Sequence, residues 1–198
     1  MFRILLRVLL TVFLLGGCPI GTAGQVSAAD PSRPVRAWVS GIFTNAREEE
    51  PTDAEMVPIV AARNGMFSGR VVVGSDRPIR GLQASAGALK SDVGTIAASQ
   101  VQVRFAVSWD NSWRRRAPRG LDILLETPPA EVPVDDGRAL AGVWVTISVP
   151  HDAAPGVYNG RLEVRADGLP ARSFPIRMTV TGWTLPDPKD YRTWVGMI

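Results

Sequence analysis

Apolar and polar side chains alternate with a period of two through most of the chain after Asp30, and helical periodicity is scarce. Val101, Val103, Phe105 and Val107 alternate with Gln102, Arg104 and Ala106. Val143, Val145, Ile147 and Val149 alternate with Trp144, Thr146 and Ser148. Leu162 and Val164 sit between Arg161, Glu163 and Arg165, and Phe174, Ile176, Met178 and Val180 alternate with Pro175, Arg177 and Thr179. Each run has one apolar face, as antiparallel strands do when two sheets pack face to face. Weaker strands are predicted over Val35 to Phe43, Met56 to Ala62, Gly69 to Val73, Ile79 to Ser85 and Leu121 to Glu126. Ala86 to Ser99 is ambiguous and has room for one helical turn.

Turn signals punctuate these runs at Asn64-Gly65, Asp76-Arg77-Pro78, Asp135-Asp136-Gly137, Ala154-Pro155-Gly156 and Asp167-Gly168. Sixteen prolines and nineteen glycines spread along the chain suit short strands with many corners. The predicted fold class is therefore all-β, an immunoglobulin-like antiparallel sandwich over 30–186. Pro175 lies inside a strand run, so that segment is expected at a sheet edge or a bulge. Leu185-Pro186-Asp187-Pro188 stops the last strand. Residues 187–198 then read as a linker and the first strand of a further domain, because Tyr191 to Ile198 turns apolar again without a polar tail.

The first 29 residues have a different character. Arg3 and Arg7 form a short cationic region, and Ile4 to Leu15 supplies an apolar run, closed by Gly16, Gly17 and Cys18. About a dozen apolar residues is too short to span a bilayer and suits a secretory signal peptide over 1–29. The expected location is the periplasm, the cell envelope or the extracellular space. Two processing patterns are open. Leu15-Gly16-Gly17-Cys18 resembles a lipobox, which would make Cys18 a lipidated N-terminus and anchor the protein to a membrane. Val26-Ser27-Ala28-Ala29 is an ordinary cleavage region.

Cys18 is the only cysteine, so the mature fold has no internal disulfide. A domain of about 170 residues buries enough surface to manage without one. The net charge of +3 includes Arg3 and Arg7, so removing them leaves +3 − 2 = +1. No nucleic-acid footprint follows from that balance.

Few residues carry candidate chemistry. His151 is the only histidine, with Asp152 beside it, and neither a metal site nor a Ser/His/Asp triad can be assembled around it. Asp135-Asp136 precedes Gly137 and reads as a turn, and Glu48-Glu49-Glu50 precedes Pro51 and reads as a solvated run. No catalytic residue, metal site or cofactor is assigned. The sharpest binding candidate is WDNSWRRRAPRG, where Trp109 and Trp113 offer a stacking platform for sugar rings and Arg114, Arg115, Arg116 and Arg119 face acidic groups of a glycan. The plainer reading packs those tryptophans against protein and leaves the arginines solvated. In Pro155-Gly156-x-Tyr158-x-Gly160 the glycines serve a tight corner and Tyr158 hydrogen-bonds across it.

One resemblance covers most of the mature chain, from about Val57 to Pro188. It is carried by Ala62-Arg63-Asn64, by Trp144 leading into Val149-Pro150, by the Pro155 to Gly160 corner and by Leu185-Pro186. In these the chain resembles the N-terminal β-sandwich domain of glycoside hydrolase family 123 and related exported barrel proteins. The lean stretch Gly65-Met66-Phe67-Ser68-Gly69 departs from the bulkier family pattern. The resemblance implies a following (β/α) barrel of hexosaminidase type, whose Asp-Glu pair would lie beyond Ile198. Three roles are then expected in descending order. The first is a non-catalytic module that packs on the catalytic barrel of the same polypeptide. The second is a carbohydrate-binding module for a polysaccharide or glycan. The third is a stand-alone envelope lipoprotein from a truncated gene.

Overall fold

The computed structural model describes residues 34–108 and 120–190. The segment 1–29 with Cys18, the loop residues Trp109, Trp113, Arg114, Arg115, Arg116 and Arg119, and residues 191–198 lie outside the described residues.

Thirteen strands follow one another among them: β1 (Arg36–Ser40), β2 (Val57–Arg63), β3 (Gly65–Ser75), β4 (Ile79–Arg80), β5 (Gln83–Ala86), β6 (Leu89–Ser91), β7 (Gly94–Ile96), β8 (Val101–Val107), β9 (Ile123–Leu125), β10 (Glu131–Val132), β11 (Ala139–Val149), β12 (Gly156–Ala166) and β13 (Leu169–Thr184). One sheet has the order β1-β3-β11-β8-β9. The other has the order β2-β13-β12-β6-β7, with β5 also on β12, and β10 pairs with β4 apart from both. The chain is an immunoglobulin-like β-sandwich.

The alternation dictates the core. Val71, Val73, Phe105, Val143, Val145 and Ile147 of the first sheet face Ile59, Tyr158, Leu162, Phe174, Ile176 and Met178 of the second, all buried. Removing such aliphatic side chains from water contributes about 25 cal/mol per Å². The run Val71-Val72-Val73 is buried on both sheet faces. On the outer face Val72 joins Trp38, Ala46 and Leu140 in a smaller cluster. Arg47 in the loop after β1 spans that face and donates to Asp135 Oδ2 at 2.6 Å and to the Asp135 carbonyl at 2.9 Å.

Several expected boundaries shift. The weak run at Gly69 to Val73 is part of an eleven-residue strand, because β11 pairs with β3 along its whole length, from Ala139↔Ser75 to Val149↔Gly65. The run Ile79 to Ser85 splits into β4 and β5, with Gly81 at φ 61° between them. The ambiguous stretch Ala86 to Ser99 holds the β6–β7 hairpin and the start of a single 3-10 turn over Ala98–Gln100.

Pro175 lies in a strand with neighbours on both sides, yet the ladder from β13 to β2 starts one residue later, at Ile176↔Val57. At Pro175 itself β13 is locally an edge, where a missing N–H costs nothing. That β2–β13 ladder is parallel, unlike every other strand pairing among the described residues. Its parallel sense follows from β2, which lies in the second sheet and leads straight across the corner into β3 of the first.

Candidate functional site

The corner between β2 and β3 is one residue, Asn64, at φ 61°. Asparagine is among the few residues that take this left-handed conformation readily. Its backbone N–H donates to the Val149 carbonyl at 3.0 Å. Its side-chain amide Nδ2 donates to the Leu185 carbonyl and to Asp187 Oδ1, both at 3.0 Å. The Leu185 N–H returns to the Arg63 carbonyl at 3.0 Å, and Arg63 Nη2 reaches the Gly182 carbonyl at 3.0 Å. A Cβ on Gly65 would come within 2.6 Å of Leu185 Cδ1, so that glycine lets the outgoing chain lie on the corner. Ala62-Arg63-Asn64 and Leu185-Pro186-Asp187 are thus two halves of one clamp that sets where the chain leaves the sandwich.

A groove opens beside this clamp. β1 pairs with β3 only from Arg36↔Gly74 to Ser40↔Arg70, then turns away at Gly41, whose carbonyl accepts from the Thr44 N–H at 3.1 Å. The stretch of β3 from Gly65 to Gly69 therefore has β11 on one side and no ladder partner on the other among the described residues. The groove there has a volume of about 430 Å³. Val39, Ile42, Ile59, Val60, Met66 and Phe67 supply its apolar walls, with Arg70 and Trp144 contributing polar groups. Gly69 lets β2 approach, since a Cβ there would overlap Val57 Cγ1.

Arg70 is only 5% exposed. Its Nη2 lies 2.6 Å from Ser40 Oγ, the Gly41 carbonyl and the Thr44 carbonyl, so it pins the turn that ends β1. Its guanidinium sits 5.8 Å from the Trp144 ring centroid, directly across the ladder. No carboxylate lies within ion-pair distance of it among the described residues. Burial pulls its pKa below the ordinary guanidinium value, while the more distant charge of Glu49 pushes the other way. Arg70 Nε and Trp144 Nε1 are both buried donors that have no acceptor among the described residues.

Five of the eight large apolar side chains exposed among the described residues lie in or beside this region: Phe43 at 97%, Val60 at 72%, Met66 at 64%, Trp183 at 61%, and Met56. Trp183 precedes Thr184, which pairs with Arg63 at the clamp. Sequence reading missed the groove because its lining comes from four strands, β1, β2, β3 and the distant β11. The signal available was a lone arginine at an alternating position just before three valines.

The other sequence candidates occupy structural positions. Tyr158 Oη donates to the Ala154 carbonyl at 2.8 Å with its ring buried, a tyrosine corner. Gly160 is needed for close packing and not for a turn, since a Cβ there would meet Leu89 Cγ at 2.9 Å. His151 is exposed in a turn closed by the Ala153 N–H on the Pro150 carbonyl at 3.2 Å. Asp135 is held by Arg47, and Asp136 and Gly137 form the turn at φ 51° and 77°. Glu48 accepts from Asn45 Nδ2 at 2.8 Å. No group of three or more His, Cys, Asp or Glu that would hold a metal occurs among the described residues. The loop with Trp109, Trp113 and Arg114 to Arg116 joins β8 to β9, and its own residues lie outside those described.

The fold is similar to a solved structure of a family 123 glycoside hydrolase from Clostridium perfringens, described in work on glycolipid glycan hydrolysis. The TM-score is 0.62 at 18% identity, over 80% of this chain and 29% of that one. The chain thus spans less than a third of the length of that enzyme. A comparison with curated proteins finds no match. The family description "Glycoside hydrolase 123 N-terminal domain" matches residues 42–166, from Ile42 in the groove wall through the Tyr158 corner to the end of β12. The chain belongs to the glycoside hydrolase 123 N-terminal domain family.

Proposed function

We propose that this domain is the non-catalytic N-terminal module of an exported glycoside hydrolase-like protein, and that it packs on the catalytic domain that follows it. The observation that carries this is the coincidence of the exit clamp with the exposed apolar side chains. Asn64 holds Leu185 and Asp187 at one corner, and Val60, Met66 and Trp183 lie exposed around it. Monomers seldom leave such a cluster uncovered, and a domain tethered within a few residues meets this surface at high effective concentration. Export through the segment 1–29 belongs to the same proposal, with Cys18 lipidated or the chain cut after Ala29.

Reading the gene past the codon for Ile198 is the direct test. An open frame encoding a barrel with an adjacent Asp-Glu pair supports the module reading, and a stop codon there overturns it. Mass spectrometry of the mature N-terminus separates the two modes of processing.

A further inference from the structure

We infer that the groove beside β3 receives an extended, apolar segment of that following domain, added as a strand to the open edge of β3 with an acidic side chain set against Arg70. The inference rests on the module reading above and specifies its contact.

Three independent features converge on it. β3 outruns β1, so Gly65 to Gly69 have no ladder partner along one side among the described residues, a template for an added strand. The walls beside that edge are apolar, with Val60 and Met66 exposed at the rim, which suits alternate side chains of an incoming strand. Where β1 ends, opposite Ser40, Arg70 is buried with no carboxylate partner among the described residues, next to a Trp144 N–H that has no acceptor among them. Buried arginines are rarely left unpaired, and one carboxylate would compensate the charge and accept from these donors together.

The source follows from position. Leu185 lies over Gly65 where the open edge starts, so the departing chain begins its course beside the slot. A strand supplied by the domain that continues this chain needs no long connection to reach it.

The test uses the polypeptide that carries the downstream domain, compared with the chain of residues 1–198, by amide hydrogen exchange. Met66 to Gly69 should exchange at least about tenfold more slowly in the longer polypeptide. Val60→Glu, which places a like charge at the exposed rim, should abolish that protection, whereas Val60→Lys should preserve it. Position 60 is exposed on an edge strand, so both variants fold. Equal loss in the two variants would overturn the acidic anchor. Unchanged exchange at Met66 to Gly69 with new protection around Trp183 and Leu185 would overturn the groove as contact while upholding the module reading. Absence of protection at both places would overturn the two together.

Discussion

The Asn64 side-chain amide donates to the Leu185 carbonyl at 3.0 Å, across 121 residues of sequence. A single polar side chain in a left-handed backbone conformation therefore joins the entry of β3 to the end of the domain. Backbone geometry and tethering are coupled at this residue, and they separate under substitution.

Asn64→Ala should lower stability by about 2 kcal/mol, combining left-handed strain of ~1 kcal/mol with the loss of side-chain hydrogen bonds worth ~1 kcal/mol. Asn64→Gly keeps the backbone conformation and should cost about half as much. Urea denaturation gives the stabilities, and limited proteolysis after Leu185 should accelerate in both variants because both lose the clamp.

At the other corner, Tyr158→Phe should cost about 1 kcal/mol by removing the bond to the Ala154 carbonyl while leaving the ring in place. Tyr158→Ala should cost about 4 kcal/mol because it also opens a cavity in the core. A thermal unfolding series separates the two contributions.

Gly69→Ala should destabilise by about 1–3 kcal/mol through overlap of the new methyl with Val57 Cγ1. Val57→Ala in the same chain should recover part of that loss. A double-mutant cycle with additive costs would show that the two positions do not compete for the same space.

Arg70→Ala should be costly, about 3 kcal/mol, since the carbonyls of Gly41 and Thr44 and the hydroxyl of Ser40 all lose their shared donor. The turn after β1 should then exchange its amides faster than the core strands do. Uniform acceleration across the molecule would instead mean that Arg70 stabilises the fold globally and not the turn.

The alternation in β11, β12 and β13 made the sandwich legible, because each buries one face and leaves the other polar. β3 was read four residues too short at its start since Gly65 to Ser68 lack a clear alternation, and β11 supplies the pairing that local pattern could not. β6 and β7 went unseen because Gly87, Ala88 and Gly94 blur any period. Asn64-Gly65 reads as a turn, but its role as a corner between two sheets depends on Leu185 and Asp187, far along the chain. The groove was illegible for a related reason. Arg70 becomes notable only once burial has removed it from solvent and no carboxylate among the described residues has followed it in. Cys18 and the Trp109 to Arg116 stretch remain sequence expectations.

The parallel ladder between β2 and β13 has a consequence for the timing of folding. Thr181 Oγ1 donates to the Ala61 carbonyl at 3.0 Å, over a separation of 120 residues. β13 lies between β2 and β12, so the second sheet cannot assemble until the last strand exists. A chain still being synthesised holds β2 without its neighbour, and closing loops of this length makes such topologies slow to fold. The sandwich therefore forms only after its C-terminal strand has been made, and a polypeptide released before β13 has no route to the native second sheet.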